Sequence, residues 1–212
     1  MKNAGNWIIL IIIIILIAGG VILALPNKSK GPESTDESPQ SSDIKNDESL
    51  IYRDDAAHIG SVDAKVKIVV FSDYLCPYCK SLHETLKSIV AAHPNDVVMY
   101  HRTFIIHQQA VIMAKAAEAA NKQDKFDQAD DAIFESYQTG DQTTMDAMAK
   151  SIGLDITKFD SDLNSSEVQN IIDKDNSDAQ ALNLGGTPSV FLNGQYVEDP
   201  STIPSQIDTL LK

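Results

Sequence analysis

Cys76-Pro77-Tyr78-Cys79 is the stretch of this sequence whose residue types and spacing are suited to chemistry. It holds the chain's only 2 cysteines. Two thiols in a C-x-x-C spacing support reversible disulfide chemistry when they sit where a strand turns into a helix. The β-branched run Val66 to Phe71 precedes the pair, and a helical pattern follows, with Leu82, Leu86, Ile89 and Val90 on the face of Cys79. Cys76 then lies at the helix N-terminus, where unpaired N–H groups and the macrodipole attract negative charge. Pro77 fits the first turn, because the N–H it lacks would be unpaired there. Cys79 lies one turn further in and is more buried. The arrangement predicts one attacking sulfur and one resolving sulfur. A zinc site is the competing chemistry. It needs four ligands, and only His83, His93, His101 and His107 are available to complete one. His83, four residues after Cys79, reads as a surface helix histidine. No cofactor is expected.

The elements that must position this pair follow from the patterning. Strands are expected at 66–72, 97–104, 189–193 and 195–198, the last two joined by the hairpin signal Asn193-Gly194. On the second strand, His101 and Arg102 read as one inward and one outward residue. Helices are expected at 76–91, 107–121, 124–138, 143–152, 156–163 and 166–184. A last helix near 202–211 turns Ile203, Ile207, Leu210 and Leu211 inward. Ser165 or Ser166 opens the sixth helix and Gly185 closes it; Ser201 is the expected cap of the last. Phe126, Phe134 and Tyr137 are expected to fill the core of the helical block. The order is strand, helix, strand, several helices, hairpin, helix, an α/β domain over residues 50–212.

The chain ahead of this domain divides in two. From Trp7 to Leu25 every residue is apolar or Gly, and no charge intervenes between Lys2 and Lys28. At 1.5 Å per residue this run spans roughly 28 Å, close to the hydrocarbon thickness of a bilayer. Residues 1–25 therefore read as a transmembrane signal anchor; the apolar run continues past Ala18-Gly19-Gly20, the best candidate for a cleavage site. Residues 26–49 are rich in Ser, Pro, Asp and Glu and read as a disordered tether. The formal net charge is -13, which argues against a nucleic-acid partner.

The stretch Phe71-Ser72-Asp73-Tyr74-Leu75-Cys76-Pro77-Tyr78-Cys79 resembles the DsbA-like branch of the thioredoxin superfamily, in its membrane-anchored bacterial type. Gly186-Thr187-Pro188-Ser189-Val190-Phe191 is similar to that family's second signature. The likeness covers essentially all of 50–212. It implies a thioredoxin-like fold with an all-helical insertion, about 107–184, between the second core strand and the hairpin. It implies Cys76 as nucleophile, Cys79 as resolving thiol, and a cis Thr187–Pro188 bond. Pro77, Tyr78, Thr187 and Pro188 would shape the substrate site, with the Thr187 backbone free to pair with an extended substrate. The implied activity is disulfide formation and exchange in secreted or surface proteins, outside the cytoplasm, with a membrane thiol oxidase re-oxidising the pair. Two alternatives remain open: a disulfide reductase or isomerase using the same chemistry, and a membrane-tethered binding or holdase module whose C-x-x-C is incidental. One departure stands out. Many relatives carry an acidic residue six positions before the nucleophile, beneath the buried thiol; here that position is Val70. Asp73 reads as turn chemistry, which leaves water to move the buried thiol's proton.

Overall fold

The computed structural model describes residues 43–136 and 140–212. The expected anchor at 1–25, most of the expected tether, and Tyr137 lie outside the described residues. Among the described residues no helix is long and apolar enough to cross a membrane.

Five strands form one mixed sheet. Strands β1 (His58–Gly60), β2 (Val66–Ser72), β3 (Val97–Thr103), β4 (Ser189–Leu192) and β5 (Gln195–Tyr196) lie in the order β1-β3-β2-β4-β5. β2 runs parallel to β3 and antiparallel to β4, with Val70 opposite both His101 and Val190. β2 is central and covered on both faces, which is why its sequence is a near-continuous apolar run. One face carries Val66, Ile68 and Val70 against Leu86 and Val90 of helix α2 (Pro77–Ala92) and Ile203 and Ile207 of the C-terminal helix. The other carries Val69, Phe71 and Phe191 against Ile51, Ala179 and Leu182. Ile51 ends a short helix, α1 (Glu48–Ile51).

Helices α3 (Val111–Asn121), α4 (Phe126–Glu135), α5 (Gln142–Ser151), α6 (Ile156–Leu163) and α7 (Ser166–Ala181) form the insertion between β3 and β4. Their shared core includes Met113, Phe126, Ile133, Phe134, Met145 and Phe159, and it extends to Cys76 and Cys79. The site therefore sits where the insertion core meets the sheet. Side chains of Asp141, Asp155 and Ser165 cap α5, α6 and α7 by accepting from the N–H groups of Thr144, Lys158 and Val168.

Several expectations are corrected. α7 stops at Ala181, and Asn183, not Gly185, takes the left-handed conformation after it (φ +64°). α4 starts at Phe126 because Asp124 turns the chain at φ +57°. Asp199 rather than Ser201 caps the C-terminal stretch, accepting from the Ser201 N–H. A 3-10 turn, Pro200–Thr202, then leads into α8 (Ile203–Leu210). Leu210, expected inward, is exposed. β1 and α1 were unforeseen: three or four residues are too few to show a period.

The last part of the expected tether is also ordered. Residues 43–49 lie along the domain through polar contacts. The Lys45 N–H and ammonium donate to the carbonyls of Leu182 and Ala181, at the end of α7. Asn46 Oδ1 accepts from the Tyr196 N–H on edge strand β5. These groups are unpaired at a helix end and a sheet edge, so polar residues with little apolar area can still bind there.

Candidate active site

Cys76 is the N-cap residue of α2, and Pro77 occupies the first helical position. Within the segment leading to Cys76, one side chain makes most of the backbone contacts. Asp73, 1% exposed, accepts from the Leu75 N–H through Oδ1 at 2.8 Å. Its Oδ2 accepts from the N–H groups of Ile106 and His107, each at 2.8 Å. The Asp73 carbonyl accepts from the Cys76 N–H at 3.0 Å. Asp73 is thus a turn organiser that joins the segment before Cys76 to the loop after β3. His107 adds its ring, with Nδ1 3.3 Å from Asp73 Oδ1.

Both cysteines are free thiols. The Cys76 thiol donates to the Thr187 carbonyl at 3.4 Å, and the Thr187–Pro188 bond is cis. Cys76, Cys79, Thr187 and Pro188 are therefore brought together from opposite ends of the domain. Cys79 is 2% exposed, and burial pushes its thiol up to about 12. Tyr78 is 76% exposed and projects from the site. Beside it runs a groove of about 660 Å³ lined by Tyr78, Leu82, Thr85, Pro188, Pro200 and Pro204. Val70 is buried on the face that α2 covers.

The histidines do not gather at the cysteines as ligands. Among the described residues no group of three or more His, Cys, Asp or Glu is placed to hold a metal ion. His83, expected on the surface, is buried. Its Nε2 lies 2.9 Å from Asp131 Oδ1. Its Nδ1 lies 3.2 Å from Asp130 Oδ2, close enough for charge attraction but outside hydrogen-bond alignment. Burial pulls the imidazole's pKa down, and the two carboxylates outweigh it, so His83 titrates above its ordinary value. Asp130 also accepts from the Tyr74 hydroxyl at 2.7 Å, two residues before Cys76. The insertion thus grips both flanks of the C-x-x-C through Asp130. Arg102 was expected to alternate with His101 across the strand; both are buried, because β3 is covered on both faces.

The geometry has counterparts in known proteins. A family model described as thioredoxin matches residues 53–212. The chain is 31% identical to a probable disulfide bond formation protein D of Bacillus cereus, covering 73% of this chain and 78% of that one. It is also 31% identical to the Na(+)/H(+) antiporter NhaA 1 of Mycolicibacterium vanbaalenii over 74% of this chain, and there it spans only 26% of the relative's length. Among solved structures, a thioredoxin-like oxidoreductase from Silicibacter pomeroyi superposes with a TM-score of 0.68 at 28% identity, over 78% of this chain and 97% of that one. A C-x-x-C at a helix start, a cis proline beside it and a helical insertion in the sheet are thus joined to a family match across the domain: the chain belongs to the thioredoxin family, among its DsbA-like thiol–disulfide oxidoreductases.

Proposed function

We propose that Cys76 and Cys79 carry out thiol–disulfide exchange on cysteine-containing secreted or surface proteins, with the domain held outside the cytoplasm by residues 1–25. The observation that carries this reading is the placing of the Cys76 sulfur. It lies 3.4 Å from the Thr187 carbonyl, in a residue that is 6% exposed at the N-terminus of α2, while Cys79 stays inside with its thiol pushed up to about 12. A substrate thiolate attacks Cys76 Sγ of the oxidised pair, forms a mixed disulfide and expels Cys79. The substrate's second thiolate then releases Cys76. The groove beside Tyr78 and Pro188 is apolar and open, suited to a polypeptide segment flanking the substrate cysteine. Re-oxidation falls to a thiol oxidase in the membrane.

A trapping experiment tests the reading. Cys79→Ala removes the route by which Cys79 resolves a mixed disulfide. The variant should accumulate high-mass species on non-reducing gels that collapse with reductant, and the Cys76→Ala, Cys79→Ala protein should show none. If the single variant runs only as a monomer when expressed under oxidising conditions in its own host, exchange on protein substrates is the wrong function. Protease shaving of intact cells tests the location, since cleavage only after lysis contradicts it.

A further inference from the structure

The inner face of α2 is one buried stripe, Cys79, His83, Leu86 and Val90. Leu86 and Val90 pack against the sheet. His83 lies between them and the redox pair, four residues after Cys79. Residues four apart on a helix are neighbours, with Cβ atoms about 5–6 Å from each other. His83 is therefore the titratable group next to Cys79 on the inner face of its own helix. Burying an imidazole there costs desolvation that an apolar side chain would not incur.

What faces His83 is charge. Its Nε2 lies 2.9 Å from Asp131 Oδ1, and its Nδ1 lies 3.2 Å from Asp130 Oδ2. Asp130 is fully buried, and that Oδ2 has no hydrogen-bond partner. Its Oδ1 accepts from the Tyr74 hydroxyl at 2.7 Å. The rings of Tyr74 and His83 both pack on Phe134, at centroid distances of 4.7 and 4.6 Å. Tyr74 and Phe134 belong to the same core cluster as Cys76 and Cys79. A carboxylate charge thus stands beside the core that the two sulfurs share, and His83 is set against it. Burial opposes the charge of Asp130, and His83 outweighs burial, holding the carboxyl below its ordinary value. The other charged groups nearby do not replace His83. Lys87 pairs with Asp127 and Asp131. His101 of β3 stacks on Tyr74, and burial pulls its imidazole below the ordinary value, towards the neutral form. Glu118 of α3, buried within the insertion, titrates at about 7.

We propose that His83 is a positioning residue for exchange: its imidazolium, held between Asp130 and Asp131 one turn from Cys79, balances the buried charge of Asp130 while negative charge builds on the Cys79 sulfur. The inference rests on the exchange reading above. In the step itself, an attacking thiolate uses its electron pair to bond Cys76 Sγ. The Cys76–Cys79 bond breaks and its pair moves to Cys79 Sγ, which is reduced to a thiolate while the attacking sulfur is oxidised into the mixed disulfide. The new thiolate then takes its proton from water. With His83 protonated, the charge arriving on Cys79 meets a neutralised pair. With His83 neutral, it meets the uncompensated anion of Asp130, and the bond breaks more slowly.

The test is the rate at which dithiothreitol reduces the oxidised full-length protein, divided by the concentration of dithiothreitol thiolate, from pH 6.5 to pH 9. In the oxidised protein neither cysteine has a proton to lose, so a change in this ratio reports a group outside the pair. Wild type should fall about fivefold across the range as His83 gives up its proton. His83→Gln should be flat, at the level that wild type reaches at pH 9. Asp130→Asn removes the anion and should stay fast at pH 9. Two changes to one ion pair then move the rate in opposite directions, which lost packing would not do. Glu118→Gln should keep the wild-type fall. The proposal is overturned if wild type stays within twofold across the range, if His83→Gln keeps the fall, if Glu118→Gln abolishes it, or if Asp130→Asn is as slow as His83→Gln. Should Asp130→Asn fail to fold, the other three proteins decide. If the wild-type protein forms no Cys76–Cys79 disulfide, the exchange reading falls and this inference falls with it; a disulfide that forms and is reduced at an unchanging rate across the range overturns the role of His83 alone.

Discussion

Two charged clusters, each with a buried centre, tie the helical insertion to the rest of the domain, and they are built on opposite principles. In the first, Arg102 is fully buried between β3 and α7. Its Nε pairs with Asp175 Oδ1 and its Nη2 with Asp178 Oδ2, each at 2.6 Å, while Nη1 donates to the carbonyls of Leu50 and Ile51. Asp175 Oδ2 accepts from the Thr103 N–H, and Arg53 reaches Asp175 from outside. In the second, His83 on α2 stands between Asp130 and Asp131 of α4, and Lys87 one turn on pairs with Asp127 and Asp131. Here His101 Nε2 and Asp130 Oδ2 lack hydrogen-bond partners. A guanidinium cannot be deprotonated in a protein, so the first cluster keeps its cation at every working pH. The second depends on an imidazole, whose charge is set by the solution. The fixed cluster joins β3 to α7, and the titrating one includes residues of the redox helix itself.

The comparison can be broken at several points. The largest effect is expected at Arg102. Arg102→Met takes the buried cation from between Asp175 and Asp178, leaving them only Arg53 and Lys174 at the edge of the cluster, and should cost about 3 kcal/mol, read from urea unfolding. A loss below 1 kcal/mol would mean the cluster is not a structural clamp. Asp130→Asn keeps an acceptor for Tyr74 but removes the charge that faces His83; a loss of about 2–3 kcal/mol is expected. If it matches Arg102→Met, the two clusters do not differ in kind.

Glu118 of α3 sharpens the contrast. It is 2% exposed, and burial first, then the charge of Asp175, raises its carboxyl to about 7. The folded state therefore holds this proton more tightly than the unfolded chain does, and stability falls as pH rises from the ordinary carboxyl range through 7. Glu118→Gln removes the penalty: it should stabilise by about 2 kcal/mol at pH 8 and by almost nothing at pH 4. Equal effects at both pH values would contradict a buried titrating carboxyl. The smallest effect belongs to His83. Its folded value is raised, so its contribution is complete below 6.5 and is lost as pH rises through the folded value. The stability gap between wild type and His83→Gln should narrow from pH 6 to pH 9. A gap that widens reverses the sign of the argument.

What the sequence disclosed follows the range of each signal. β2 and α6 were read at their observed bounds, because an apolar run and a capped helical period are local. Cys76, Cys79, Thr187 and Pro188 were legible through motif and resemblance together, and the structure places them side by side. His83 was not read as buried, although it lies four residues from Cys79 and three from Leu86, on their face of α2. The acids that justify burying it stand on α4, and no pattern within α2 announces them. Arg102 failed for a related reason. Alternation assigns inside and outside only when one face of a sheet meets water, and β3 has no such face.

The pairing of β2 with β4 has a consequence for how this molecule comes into being. Val70 lies opposite Val190, so the strand that brings Pro188 to Cys76 is synthesised after the whole helical insertion. Joining them closes a loop of about 120 residues, a slow, non-local contact that local helices precede. A nascent chain emerging from its amino end would present both cysteines early, with neither Thr187 nor Pro188 yet beside them. Catalytic competence is then the last property the chain acquires. Until the C-terminal hairpin arrives, its own two thiols are as open to mispairing as those of any substrate.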